Sequence, residues 1–193
     1  MTIRLATAPA GVPAAAAGTM RRVLGGLRSP QLAAARIESL HLSLQHAVYN
    51  LTAEDVVTGL GLAAASLTAW RHLVDHDGAA VATVELTAGG AADGYLVIEG
   101  PRAAGFAAAV DRAEALDEAD PIDFDLRVLR VPALNVELVW LSGPDPAHDL
   151  FLPVDPAPAP FEPSRSYTVP EALAGLRELA AHRDLSTPPP PAR

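Results

Sequence analysis

Two runs of alternating apolar residues standing back to back, DFDLRVLRV at 123–131 and PALNVELVWLSG at 132–143, constrain this chain more than any other stretch. Period-two alternation is the mark of half-buried strands, and a helix cannot present it as one face. A three-residue loop at 131–133 sets Val128 opposite Val136, Arg127 opposite Glu137, Leu126 opposite Leu138 and Phe124 opposite Trp140. Apolar side chains then meet apolar partners on one face, and an Arg–Glu pair forms on the other. Such a loop favours glycine at a left-handed position, and none is here, so one long strand bulged at Pro132 is the competing geometry. A turn-rich PDPAH and a short apolar DLFLP follow.

The rest of the chain is read around that pair. Residues 1–18 are small side chains interrupted by proline, which predicts a disordered or loosely attached segment. TMRRVLGGLR at 19–28 has room for a helical turn or two, and Ser29–Pro30 opens a short QLAAARIESL helix. Leu40, Leu42 and Leu44 alternate with polar neighbours, as one bent strand or two short ones running to 51. Thr52 caps a brief helix ended by Gly59. Residues 67–75 are assigned to a strand, paired through the turn at 75–78 with 80–87, and GYLVIEG adds another at 94–100. A helix is expected at about 101–118, burying Phe106, Val110 and Ala113. A second is expected at about 169–182, where Thr168 and Glu171 form a capping box.

Strands, helix, strands, helix with hairpin-like connections specify an α+β fold in a single domain: a curved antiparallel sheet with both helices packed on one face, and flexible termini. The division is a basic Ala/Arg-rich arm at 1–38, partly disordered, a domain at 39–183, and a proline-rich tail at 184–193. A strongly curved sheet around helix 101–118 is similar to cystatin-like folds in element order alone.

Composition mainly excludes. Neither cysteine nor lysine occurs, so disulfides, thiolate chemistry, Schiff bases and a phosphate-loop lysine are ruled out. The net charge of −9 argues against nucleic acid as partner. It is unevenly spread: residues 1–38 carry +4 and the remainder −13. The N-terminal apolar run is broken by Pro9, Gly11 and Pro13, unlike a secretory signal, and no stretch approaches a membrane span; a cytoplasmic location follows as the expectation.

Candidate chemistry is sparse. His72 and His76 stand four apart beside Asp75 and Asp77, but a zinc protease motif needs Glu where Leu73 stands, so no metal is assigned. Asp120, Asp123 and Asp125 form an acidic loop with no glycine-rich phosphate cradle to accompany it. Tyr49, Trp70, Arg71 and Trp140 become a pocket or interface if they share a face, since Trp, Tyr and Arg dominate binding hot spots. The expectation is a non-catalytic interaction or accessory protein, partnered by another protein or by itself, with no cofactor. Its contacts would be the sheet surface or edge, and the arm through Arg21, Arg22 and Arg28. The alternative is a small-molecule pocket or enzyme worked by acids and histidines such as His72, Asp75 and Glu85.

Overall fold

Pairing begins at the 124–142 hairpin, whose strands run Phe124–Val131 and Val136–Ser142. Its register sets Val128 against Val139, Leu129 against Leu138 and Arg130 against Glu137. This corrects the 131–133 loop. The chain turns instead through a short 3-10 turn, Pro132–Leu134, and Asn135 in the left-handed region at φ 55°. Asparagine tolerates that region better than other non-glycine residues, so it supplies the turn that glycine was expected to supply. The ion pair accordingly moves from Arg127 to Arg130.

The computed structural model describes residues 3–5, 7–23, 39–89, 94–117 and 123–182, with 21–23 as backbone only. In chain order the strands are β1 (Ile3–Leu5), β2 (Leu40–Asn50), β3 (Ser66–His76), β4 (Ala79–Thr87), β5 (Tyr95–Glu99), β6 (Phe124–Val131), β7 (Val136–Ser142), β8 (Leu150–Pro153) and β9 (Tyr167–Thr168). The α-helices are α1 (Val12–Val23), α2 (Ala53–Thr58), α3 (Pro101–Asp117) and α4 (Val169–His182). One mostly antiparallel sheet takes the order β5-β4-β3-β2-β6-β7-β8-β9, and β1 pairs in parallel with β6. The chain is an α+β domain with a sheet that does not close on itself.

Helix α3 lies against β4 and β5 and also against β7 and β8. At about 4.8 Å per strand, a flat sheet would hold β4 and β7 roughly 19 Å apart, wider than a helix. The sheet therefore curls round α3. Phe106, Ala109, Val110 and Ala113 of α3 pack on Val48, Ala69, Leu73, Val128, Val139 and Leu141, which defines the inner face. On the outer face α4 covers Leu129, Leu138, Trp140 and Phe151 through Ala172, Leu176 and Ala180. The two long helices thus occupy opposite faces rather than one. The reason lies in β7, buried at all seven positions, whose two alternating sets of side chains each need a cover.

The N-terminal arm is not the loose segment its prolines suggest. Val12, Ala16 and Met20 of α1 are buried on the outer face, against Trp70 and Leu86 and against Val74, Ala82 and Val84. Those positions are one helical stripe, spaced four apart. β2 is a single strand, bulged between Ser43 and His46, with Leu44 at φ 44°. Thr52 caps α2 in a full capping box with Asp55, and Gly59 ends that helix at φ 79°. Residues 61–64 form a 3-10 turn before β3. Arg28, residues 31–38 of the expected QLAAARIESL helix, Asp120 and the 184–193 tail lie outside the described residues, and Leu40 at the end of that run already belongs to β2.

Candidate functional site

Strand alternation sorts the sequence-derived candidates into two groups. Arg71 and Glu85 face inward as cross-strand partners on β3 and β4. Tyr49, Trp70, His72 and Trp140 belong to the outer face. Asp75 accepts a hydrogen bond from Ser43 Oγ. The His72, Asp75 and Glu85 grouping expected of an acid–histidine pocket is therefore not formed, because the sheet places His72 and Glu85 on opposite sides.

The inner group is larger than the sequence implied. Arg71 Nε donates to Glu85 Oε1 at 2.7 Å, and its two terminal nitrogens donate to the two oxygens of Glu137 at 2.5 and 2.8 Å. Arg130 donates to Glu85, and through Nε to Glu137 at 3.3 Å. Two guanidiniums and two carboxylates thus close into a neutral ring. Arg71, Glu85 and Glu137 are 1%, 3% and 4% exposed. Arg71 on β3 reaches Glu137 on β7 over two intervening strands, and Glu85 on β4 reaches Arg130 on β6 in the same way. Three strand spacings are roughly 14 Å, the combined reach of an arginine and a glutamate, so the ring ties the curl of the sheet across its concavity.

Electrostatics follow from that enclosure. Burial alone would raise the Glu137 carboxyl, but the Arg71 guanidinium beside it brings it down to about 2. Burial opposes the charge on Arg71, yet Glu137 and Glu85 together hold it above its ordinary range. His46 forms the floor, stacked on Phe106 at 4.7 Å between centroids, and Arg71 lies over the same ring at 4.9 Å. Burial first, and Arg71 second, lower His46 to about 3. His46 is neutral at pH 7, with the ring proton on Nδ1, 2.6 Å from the Leu44 carbonyl oxygen. Its Nε2 has no partner among the described residues. Perturbed groups often mark active sites, but here every charge is spent on another charge of the ring. The lone pair left on His46 Nε2 is enclosed with the ring, since His46 is fully buried.

The outer group brings together three of the four aromatic and arginine candidates. Tyr49 meets Trp140 edge-on at 5.5 Å, and Arg127 lies over both rings at 5.6 and 5.1 Å. Arg127 was not singled out in the sequence, although its place two residues from Leu129 on the same face follows from the alternation. It also donates to Asp125 at 3.1 Å, while Arg4 pairs with Asp123. Trp140 Nε1 donates to buried Asp149 at 2.6 Å, and Asp149 also accepts from the Gly143 backbone at 2.8 Å, pinning the β7–β8 turn. Tyr49 packs partly against both the α1 and the α4 clusters, so this strip seals the seam between two helix-covered halves. His72 lines a cleft of about 350 Å³ between α1 and the β2 bulge, with Leu42, Ser43 and Leu44. Burial lowers its pKa, and its Nε2 is shut off from solvent without a partner among the described residues. The cleft therefore receives no polar handle from that nitrogen.

Among the described residues, the outer edge of β5 lies open. β5 ends the sheet order, and Tyr95 and Leu96 on it are 46% and 42% exposed. The Thr87 N–H donates to the Gly94 carbonyl, which makes 87 and 94 a hydrogen-bonded pair. Bonded and non-bonded pairs alternate along an antiparallel ladder, so Leu96 and Ile98 turn their backbone groups toward β4. Tyr95 and Val97 turn theirs outward, where no described residue meets them. Neither proline, lysine nor bulge guards the strand, and its one charge is the terminal Glu99.

Among the described residues no three His, Cys, Asp or Glu side chains are grouped to hold a metal, and no helix is long and apolar enough to cross a membrane. Comparison with protein-family models, with curated proteins and with solved structures finds no match.

Proposed function

We propose that this protein works by contact rather than by catalysis, as an interaction or accessory protein whose working surface is the outer edge of β5. The observation that supports it is the unguarded row of backbone donors and acceptors at Tyr95 and Val97, flanked by two exposed apolar side chains. Main-chain pairing at such an edge gives affinity, and alternating side chains give selectivity. The self-satisfied charge ring supports the same reading, since its perturbed groups serve the sheet. A second contact through the basic arm stays in the proposal: Arg21 and Arg22 lie on the last turns of α1. So does a cytoplasmic setting.

The test compares capture of proteins from lysate of the source organism by the wild-type chain and by Val97→Pro. Proline at 97 removes an outward donor and leaves the β4 ladder intact, because the bonded positions are 96 and 98. Loss of the captured protein with unchanged circular dichroism supports the edge. Equal capture by the variant refutes it.

A further inference from the structure

β5 has the composition of a strand from inside a sheet, yet it stands at the end of one. Its sequence, Tyr-Leu-Val-Ile-Glu, is apolar on both faces for four residues running, whereas an edge strand is ordinarily blunted by charge, proline or a bulge. Register places Leu96 and Ile98 on the inner face with Glu85 and Thr83, and Tyr95 and Val97 on the outer face with Leu86 and Val84. Exposed apolar surface thus appears on both faces at once, at Leu96 and Tyr95. A docked strand must itself be apolar on both faces to cover the two together. The opposite edge of the sheet is different: β9 has two residues and passes directly into α4.

We infer that the strand seated on β5 is the β5 of a second copy of this chain, forming a two-fold antiparallel pair centred on Val97. This rests on the contact reading above and names its partner. An isologous pair requires the patch to complement itself, and this one does. Val97 meets its own equivalent and exchanges two backbone hydrogen bonds, because its N–H and C=O are the outward ones. Leu96 falls beside Ile98 of the partner subunit on the inner face. Tyr95 falls opposite Glu99 of the partner subunit on the outer face. The two Glu99 carboxylates of such a pair stand roughly 13 Å apart, beyond the Debye length at physiological salt. Both nine-stranded sheets then run on as one, and β5 becomes the interior strand its composition describes.

Molar mass measured by light scattering across a concentration series decides the matter, on the wild-type chain, Val97→Pro and Leu96→Glu. The second variant keeps the backbone and puts a charge on the inner face of the new seam, so the test survives if proline disturbs folding. The wild-type chain is expected at twice the chain mass. Each variant is expected to weaken association by about tenfold or more. A wild-type chain that stays at single mass at every concentration overturns the inference, as does a dimer that both variants leave intact. Where the purified chain is single but Val97→Pro still abolishes capture from lysate, the inference fails while the contact reading stands.

Discussion

Glu137→Gln removes one charge from the inner ring while keeping nearly the same shape. Arg71, only 1% exposed, then keeps one carboxylate, Glu85, and must share it with Arg130. Leaving a buried charge without its partner costs about 3–5 kcal/mol. The pKa of the group leads to the same range: a carboxyl brought from 4.5 to about 2 in the fold corresponds to roughly 3 kcal/mol. For a domain of this size that lowers Tm by about 6–20 °C. Calorimetry of Glu137→Gln beside Arg165→Ala is the assay, because Arg165 pairs with Glu171 at the surface, where the side chains are 52% and 42% exposed. The surface variant should move Tm too little to resolve. Glu137→Gln melting within about 1 kcal/mol of wild type would refute the tie across the sheet, since it would mean that the ring is solvated or that its charges do not depend on one another.

Acid stability should separate His46 from the carboxylates. His46 is neutral in the fold down to about pH 3 and takes up a proton near 6.5 when unfolded, so its contribution is complete above 6.5 and is lost as pH falls toward 3. Glu137 acts lower, complete above 4.5 and lost toward 2, and His72, also depressed by burial, adds to the His46 window. Urea titrations of wild type and His46→Gln should therefore show a shallower decline between pH 6.5 and 4.5 in the variant; parallel declines would contradict the assignment. Gly105→Ala should destabilise by about 3 kcal/mol or prevent folding, since its Cβ would lie 1.9 Å from the Asp155 carbonyl oxygen. Gly18→Ala, in α1 with nothing within 4 Å, should instead stabilise by about 0.5–1 kcal/mol, and thermal melts of the pair check both signs. Deletion of 1–28 should lower Tm and increase dye binding to exposed apolar surface, because Val12, Ala16 and Met20 leave with it; an unchanged melt would show that α1 contributes nothing to the core.

What could be seen in the sequence follows the reach of each signal. Local rules held where one or two residues decide the outcome: the cap of α2 at Thr52, its end at Gly59, and the strand alternation of β6 and β7. Register failed where a left-handed residue decided it, because Asn135 fills the glycine position and shifts each partner by three along the ladder. Arg71, Glu85 and Trp140 were singled out, yet the ring was not, because Glu137 was assigned to Arg127 and nothing local says that β3 and β7 face each other across a curl. Four alanines among the twelve residues of α1 disguised a buried stripe as a loose arm. Small side chains bury little area each, and their contribution becomes visible only against Trp70 and Leu86.

The smallest strand has a consequence in time. Ile3–Leu5 pairs with Phe124–Leu126, so the first strand of the sheet has no partner until some 120 residues of chain have been made. The early part of the chain can build β2–β5 from neighbouring hairpins, but its start must wait for the centre of the fold to arrive. Closing so long a loop makes this the high-contact-order step of the fold. During synthesis β2 waits as well, one of its edges without its parallel neighbour until β6 has been made.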